Sequence, residues 1–487
     1  MPEAPYLHEA YLSLRNQDAN WEWILQFDGE AWDPPDYLKD DPRVHVRSNG
    51  AKLGVAATRN LALTRAGGEF VQILDADDQL HSGSMEALLE PLLADESLAF
   101  CVARTDHLDG DKMRERDAAQ DDHGRARIPK PDGGVLKPGE LTDYWLHYER
   151  MPYATQGTLW RKKFLLAYGG QVALDTGEDS CAALAVAEHH PSFFIKDRWT
   201  LVYRAHEHSL MHHPQYFSVS RPRSHIFVVQ RLQALRKLRD PSLPFQADPE
   251  RFAGTEQQII DRERDVTGKA GMVSILTAVD MTEVQELLKS YAGLCNQDVK
   301  WEWLLQVDGE EWEAPEVFRA DPRIKIAMNG RHMGKAITAN FALARSAGEY
   351  IRLLTPGHKL KAGSIEQDLE LLRKDGLSYL LFAADLAPGG LPAGAGAKML
   401  DHVKKHEPDP DDIYWRREDL FAVGGFAAAP DEEVSATLVS VAEQYPGHVI
   451  GTGEPKEAET EVSQPLASAR LSAMRLDSIQ GPGKSDR

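Results

Sequence analysis

The sequence has only three cysteines in 487 residues, Cys101, Cys181 and Cys295. They are scattered and show no paired metal spacing, which excludes a disulfide or zinc framework and fits a reducing compartment. No apolar run approaches the ~20 residues that span a bilayer. The opening MPEAPYLHEAYLSLRNQ lacks the basic and apolar regions of a secretory signal. Basic residues are in deficit: Lys plus Arg is 55 against 76 Asp plus Glu, a formal charge of −21. Such a chain lacks the electrostatic footprint of a nucleic-acid binder and is repelled by anionic lipid. With 42% apolar and 27% charged residues, it is neither collagenous nor wholly disordered. A soluble, acidic, cytoplasmic protein of two large or three ordinary domains is expected.

What the sequence does have is a second copy of itself. WEWILQFDGE from Trp21 is answered by WEWLLQVDGE from Trp301, and the offset of 280 holds through TRNLALTRAGGEF and TANFALARSAGEY. From Trp21 to Ser84, 28 of 64 positions are identical, far beyond chance. LWRKKFLLAYGG (Leu159–Gly170) answers YWRREDLFAVGG (Tyr414–Gly425) at an offset of 255. The change of offset puts about 25 extra residues in the first copy. The charged, Gly- and Pro-rich stretch Asp106–Gly139 is the place for them, as a solvated loop, a lid or a disordered insertion.

Each copy alternates strand and helix patterns. VSILTAV (Val273–Val279) is a β-branched run, and Val284, Leu287, Leu288 and Tyr291 then recur at helical spacing. The alternation predicts a mainly parallel α/β sheet with ligand loops at the carboxyl ends of its strands. Subtracting 280 from Val273–Asp280 lands before Met1. The first copy therefore has no sequence equivalent of the opening strand; either the recorded start is late or another segment takes that place. Between the copies, SRPRSHIFVVQRLQALRKLR puts Val228, Leu232, Leu235 and Leu238 on one helical face, with its arginines expected on the solvated one. The expected division is a first domain at 1–215, a helical linker at 216–270, a second domain at 271–465 and a flexible tail at 466–487.

The strand FVQIL (Phe70–Leu74) ends in Asp75-Ala76-Asp77-Asp78. Three carboxylates in four residues repel one another unless a cation neutralises them. Alternation along an extended chain lets Asp75 and Asp77 face one site. An acidic turn capping the next helix is the competing reading.

The series SLRNQ, WEWILQFDGE, Asn49-Gly50 with Gly54, TRNLAL and AGGEFVQILDADD continues with LWRKKFLLAYGG, GED at Gly177–Asp179 and YRAHEHS at Tyr203–Ser209. In order and spacing it resembles the family 2 glycosyltransferases, inverting enzymes of the GT-A fold. The resemblance implies an α/β chain of two tandem nucleotide-diphosphosugar transferase (GT-A, Rossmann-like) domains joined by a helical linker. It places Asp28 at the nucleotide base, Arg59 and Asn60 near the donor nucleotide, and Asp75 near the ribose. It makes Asp77 and His206 ligands of Mn²⁺ or Mg²⁺, and Asp179 the base that deprotonates an acceptor hydroxyl. Each has a plainer reading: a surface ion pair for Arg59, a helix-start carboxylate for Asp179, a surface or core histidine for His206. A UDP-sugar is the donor the resemblance favours; the acceptor is not legible, and the second copy is left to acceptor binding, packing or dimerisation into a homo-oligomer.

At the repeat offsets, Asp75, Ala76, Asp77 and Asp78 become Thr355, Pro356, Gly357 and His358, and Arg59 becomes Ala339. Asp179 becomes Val434 and His206 becomes Glu461. Transfer by the first copy alone is therefore expected. The rival expectation is a non-catalytic binding or scaffold protein made of two inactive copies.

Overall fold

The computed structural model describes residues 4–428 except 110–111, 116–125, 207–208, 210–214, 249, 251, 253, 280–282, 384–390 and 395–408. Beyond 428 it describes 437–438, 441 and 447–451. The expected tail, Val434 and Glu461 lie outside the described residues.

In the first half, β1 (Trp23–Phe27) and β2 (Val44–Ser48) pair in parallel as a sheet of their own. A second sheet holds β3 (Phe70–Gln72), β4 (Gln79–Leu80), β5 (Phe100–Asp109), β6 (Lys112–Met113), β7 (Gly134–Leu136), β8 (Leu159–Arg161) and β9 (Ser192–Ala205). Its order is β3-β8-β5-β9-β4, with β6 on β5 and β7 on β9. The stretch Asp106–Gly139 is thus not all loop, because β6 and β7 add to the sheet.

The second half supplies β10 (Lys269–Val279), β11 (Lys300–Val307), β12 (Ile324–Met328), β13 (Gly348–Leu353), β14 (Tyr379–Ala383), β15 (Leu391–Gly394), β16 (Ile413–Arg416) and β17 (Gly447–Gly451). They form one sheet ordered β12-β11-β10-β13-β16-β14-β17-β15. β12, β11, β10 and β13 are mutually parallel, and β16 runs antiparallel to both of its neighbours. β14 and β17 are also parallel, so among the described residues this sheet is mainly parallel as expected, with antiparallel pairs where the YWRR segment inserts and at β15. The larger sheet of the first half is instead mostly antiparallel.

β10 lies between β11 and β13 and buries both. Among the described residues no strand stands between β1 and β3, the corresponding place in the first half. The cost shows in exposure: β11 is buried from Trp301 to Val307, whereas β1 buries only Trp23 fully. The surrounding packing still recurs. Tyr11 stacks on Trp23 and donates to Asp41 at 3.0 Å, as Tyr291 stacks on Trp303 and donates to Asp321 at 2.8 Å. Arg43 covers Trp21, and Arg323 covers Trp301, each at 3.8 Å.

The largest core joins the halves, containing Trp160, Leu184, Phe227, Phe341 and Trp415. Helix Arg221–Arg239 runs through it on Phe227, Val228 and Leu232. The arginines expected on its solvated face are not there: Arg231 is fully buried and Arg236 is 5% exposed. Arg231 donates to the Tyr168 carbonyl at 2.7 Å, and Arg236 forks onto Glu188 at 3.0 and 3.1 Å. Leu238, expected on the apolar face, is instead exposed at the helix end. Glu188 is itself fully buried and also meets Arg239 at 3.0 Å. Arg236 keeps an ion pair to the largely exposed Asp143 at 2.7 Å, so Glu188→Ala, which removes its buried partner, should lose about 1–3 kcal/mol in urea unfolding.

The halves meet about a local two-fold. The isolated antiparallel bridge Val172–Ala427 joins residues 255 apart, so it lies on the axis. On one side Asn60 accepts from the Gln171 N–H at 2.8 Å and donates to the carbonyls of Gln171 and Ala428 at 2.9 and 3.2 Å. On the other, Asn340 accepts from the Phe426 N–H at 2.8 Å and donates to the carbonyls of Phe426 and Ala173 at 2.9 and 3.0 Å.

Candidate active site

Asp28 ends β1 and turns inward on its own loop. Its carboxylate accepts from the Leu53 N–H at 2.6 Å, the Gly54 N–H at 3.1 Å and the Asn49 side chain at 3.0 Å. The loop thereby enters helix Val55–Arg65 through Gly54, whose φ of +87° suits glycine. Asp308 makes the same contacts with Met333, Gly334 and Asn329. The second half keeps this arrangement without the acidic cluster, so turn geometry accounts for it.

Helix Val55–Arg65 aims two adjacent side chains in different directions, since successive helical residues are about 100° apart. Arg59 reaches Asp75 at 2.6 Å and Glu178 at 2.7 Å. Burial opposes its charge, but Asp75, Glu178 and Asp179 outweigh that and raise its pKa. Asn60 faces the joint between the halves, 1% exposed and with its amide fully engaged. Asn60 is not among the residues that line the cleft.

Past β3 the acidic residues diverge. The Asp77 carboxylate and the His206 Nε2 atom are 2.8 Å apart. Burial, with Asp75 beside it, pushes the Asp77 carboxyl up, and His206 opposes the rise. Asp78 is 1% exposed and accepts from the Arg204 N–H at 2.9 Å. Burial, Asp75 and Asp77 hold its carboxyl well above the usual range. It neither caps the next helix, which starts after Gly83, nor faces the cleft.

Helix Glu178–His189 begins at the other wall. Asp179 accepts from the Thr155 hydroxyl and the Ser180 N–H, so it is a helix-start carboxylate and a cleft residue at once. Glu178 was no candidate in the sequence. Burial and Asp179 push its carboxyl up to about 7, against the pull of Arg59. Its only advance signal was a place beside Asp179, because its cation partner lies 119 positions away. Arg59, Ile73, Thr155, Gln156, Trp160, Gln171 and Asp179 line the cleft.

Asp77 and His206 offer one carboxylate and one imidazole, a donor pair that suits Mn²⁺ and tolerates Mg²⁺. Among the described residues no group of three or more His, Cys, Asp or Glu is placed to hold an ion. The residues fit a cation that takes its remaining ligands from a bound phosphate and water.

In the second half His358 takes the place of Asp78 and meets Asp411 at 3.2 Å, which raises the imidazole pKa. Asp411 also accepts from the Thr355 N–H at 2.6 Å. The acidic cluster is replaced there by a closed internal pair.

A buried guanidinium and a helix-start carboxylate line one cleft, and the guanidinium ties the strand-end carboxylate Asp75 to it. The comparisons bear on the first part of the chain. Residues 2–149 match the family model for glycosyl transferase family 2, so this part carries a family 2 glycosyltransferase domain. EpsH of Bacillus subtilis, assigned as a glycosyltransferase, is 32% identical over 120 residues, 24% of this chain and 35% of its own. The GalNAc(5)-diNAcBac-PP-undecaprenol beta-1,3-glucosyltransferase of Campylobacter jejuni is 34% identical over 90 residues, 17% of this chain and 29% of its own. This chain spans about a third of the length of these curated relatives. A solved structure of S. aureus TarS 1-349 in complex with UDP aligns at TM-score 0.36 and 13% identity. It covers 54% of this chain and 78% of that one, a likeness too slight to bear on the site. Among the described residues no helix is long and apolar enough to cross a membrane.

Proposed function

We propose that the chain is an inverting glycosyltransferase, active in its first half only, that moves a sugar from a nucleotide-diphosphosugar to an acceptor hydroxyl. A UDP-sugar is the donor in this reading, and the second half serves packing or acceptor binding. One observation carries it: Arg59 ties Asp75 to Glu178, so motif segments over 100 residues apart meet beside Asp179.

Asp179 takes the acceptor hydroxyl proton as that oxygen attacks the anomeric carbon. The new C–O bond forms on the face opposite the leaving group, and the bond from that carbon to the diphosphate oxygen breaks. Thr155 fixes the Asp179 carboxylate by donating to it. Arg59 places a fixed positive charge at the same cleft, while Asp75 and Glu178 lock its orientation. Asp77 and His206 would hold Mn²⁺ or Mg²⁺, whose chemistry is Lewis-acid stabilisation of charge on the departing diphosphate.

A thermal-shift series with UDP, dTDP and GDP tests this reading. A nucleotide diphosphate should raise the midpoint with Mn²⁺ and leave it unchanged in EDTA. A second reading, a non-catalytic scaffold, draws on the separation of β1 from β3 among the described residues. It would be favoured by the absence of any shift with any nucleotide and cation.

A further inference from the structure

Gln171 is out of character with its surroundings. It is 2% exposed, and its side-chain carbonyl oxygen is buried with no hydrogen-bond partner. Leaving such an acceptor unpaired is unfavourable. The repeat supplies a direct comparison. At the offset of 255 the corresponding residue is Phe426, 1% exposed and packed edge-on against Trp415 at 5.6 Å. An apolar side chain therefore serves this place well, and the first half carries a polar one.

The position is also held rigidly. Asn60 grips the Gln171 backbone through both its N–H and its carbonyl, and is itself tied to Ala428 of the second half. Gly170 permits the close approach: a Cβ there would stand 2.4 Å from the Asn60 amide oxygen. Gln171 then lines the cleft with Arg59, Thr155, Trp160 and Asp179. The indole N–H of Trp160, in the same wall, is also buried without a partner, but so is that of its counterpart Trp415, so only Gln171 sets the first half apart. The wall between the guanidinium and the carboxylate thus holds one unused acceptor that the second half lacks.

We infer that Gln171 recognises the transferred sugar, its side-chain carbonyl accepting a hydrogen bond from a sugar hydroxyl bound between Arg59 and Asp179. This rests on the proposed function of the first half. A hydroxyl is the fitting ligand because it can donate to the Gln171 carbonyl oxygen, which can only accept. A residue anchored by its backbone to two segments also reads that hydroxyl with little ordering cost.

The test is Gln171→Phe, which copies the second half, with Gln171→Leu as a smaller companion. Each is titrated with UDP and with UDP-glucose, UDP-galactose and UDP-N-acetylglucosamine in Mn²⁺. Thermal midpoints of both variants should match or exceed the wild type, since an unpaired buried acceptor is removed. UDP affinity should be unchanged, while the UDP-sugar best bound by the wild type should bind at least ~10-fold more weakly. A lower midpoint in both variants would make Gln171 a structural residue. Equal weakening of UDP and UDP-sugar, or no weakening, would remove its role in reading the sugar. If the wild type binds none of the four ligands, the reading of the first half fails, and this inference with it.

Discussion

Asp179→Asn is expected to lower turnover by ~10²–10⁴-fold while leaving donor affinity nearly unchanged. The amide keeps the size of the side chain; its oxygen can still accept from the Ser180 N–H, while its NH2 donates to the Thr155 hydroxyl oxygen in place of the bond that Asp179 accepts. What it loses is the capacity to accept a proton. A structural role would give a different pattern: the variant would unfold at lower temperature, or lose donor affinity with turnover of bound substrate retained. Steady-state kinetics at saturating donor, together with a melting curve, separate the two. Glu178 is no substitute base, because its carboxylate is fixed on Arg59 and burial favours its protonated form.

The second large effect is expected at Asp77. Asp77→Asn removes the anionic oxygen that faces His206 and leaves one neutral imidazole to hold a divalent cation. Loss of an outer-shell partner alone typically weakens metal binding ~10–100-fold, so loss of a direct ligand should exceed ~100-fold. Cation-dependent nucleotide affinity should fall with it. The fold should survive, because burial already disfavours the Asp77 charge and its main-chain carbonyl still receives the Arg204 guanidinium.

Much of the framework is legible in the residues. The repeat offset pairs Tyr11 with Tyr291 and Trp23 with Trp303, and the structure gives both pairs the same stacking. The acidic run follows β3, and Arg59, Asp75 and Asp179 come together because Asp75 lies just past a strand, Asp179 opens a helix and Arg59 points inward from the second turn of another. What was not legible depended on direction and on distant partners. Arg59 and Asn60 are neighbours in TRN, and no motif says that one faces a cleft and the other a joint. The arginines of Arg221–Arg239 read as solvated because Glu188 and the Tyr168 carbonyl, which receive them, lie 48 and 63 positions away. Gln171 gave no signal at all. A glutamine in a loop is ordinary until its burial and its phenylalanine counterpart are set side by side.

The central claim is that one half of a duplicated chain keeps a single cation-dependent nucleotide site. Calorimetric titration of UDP into the full chain tests it most directly, run in Mn²⁺ and in EDTA, on the wild type and on Asp77→Asn. One site per chain is predicted in Mn²⁺, absent in EDTA and absent in the variant. Two sites per chain, or binding that persists in the variant or in EDTA, would contradict the account.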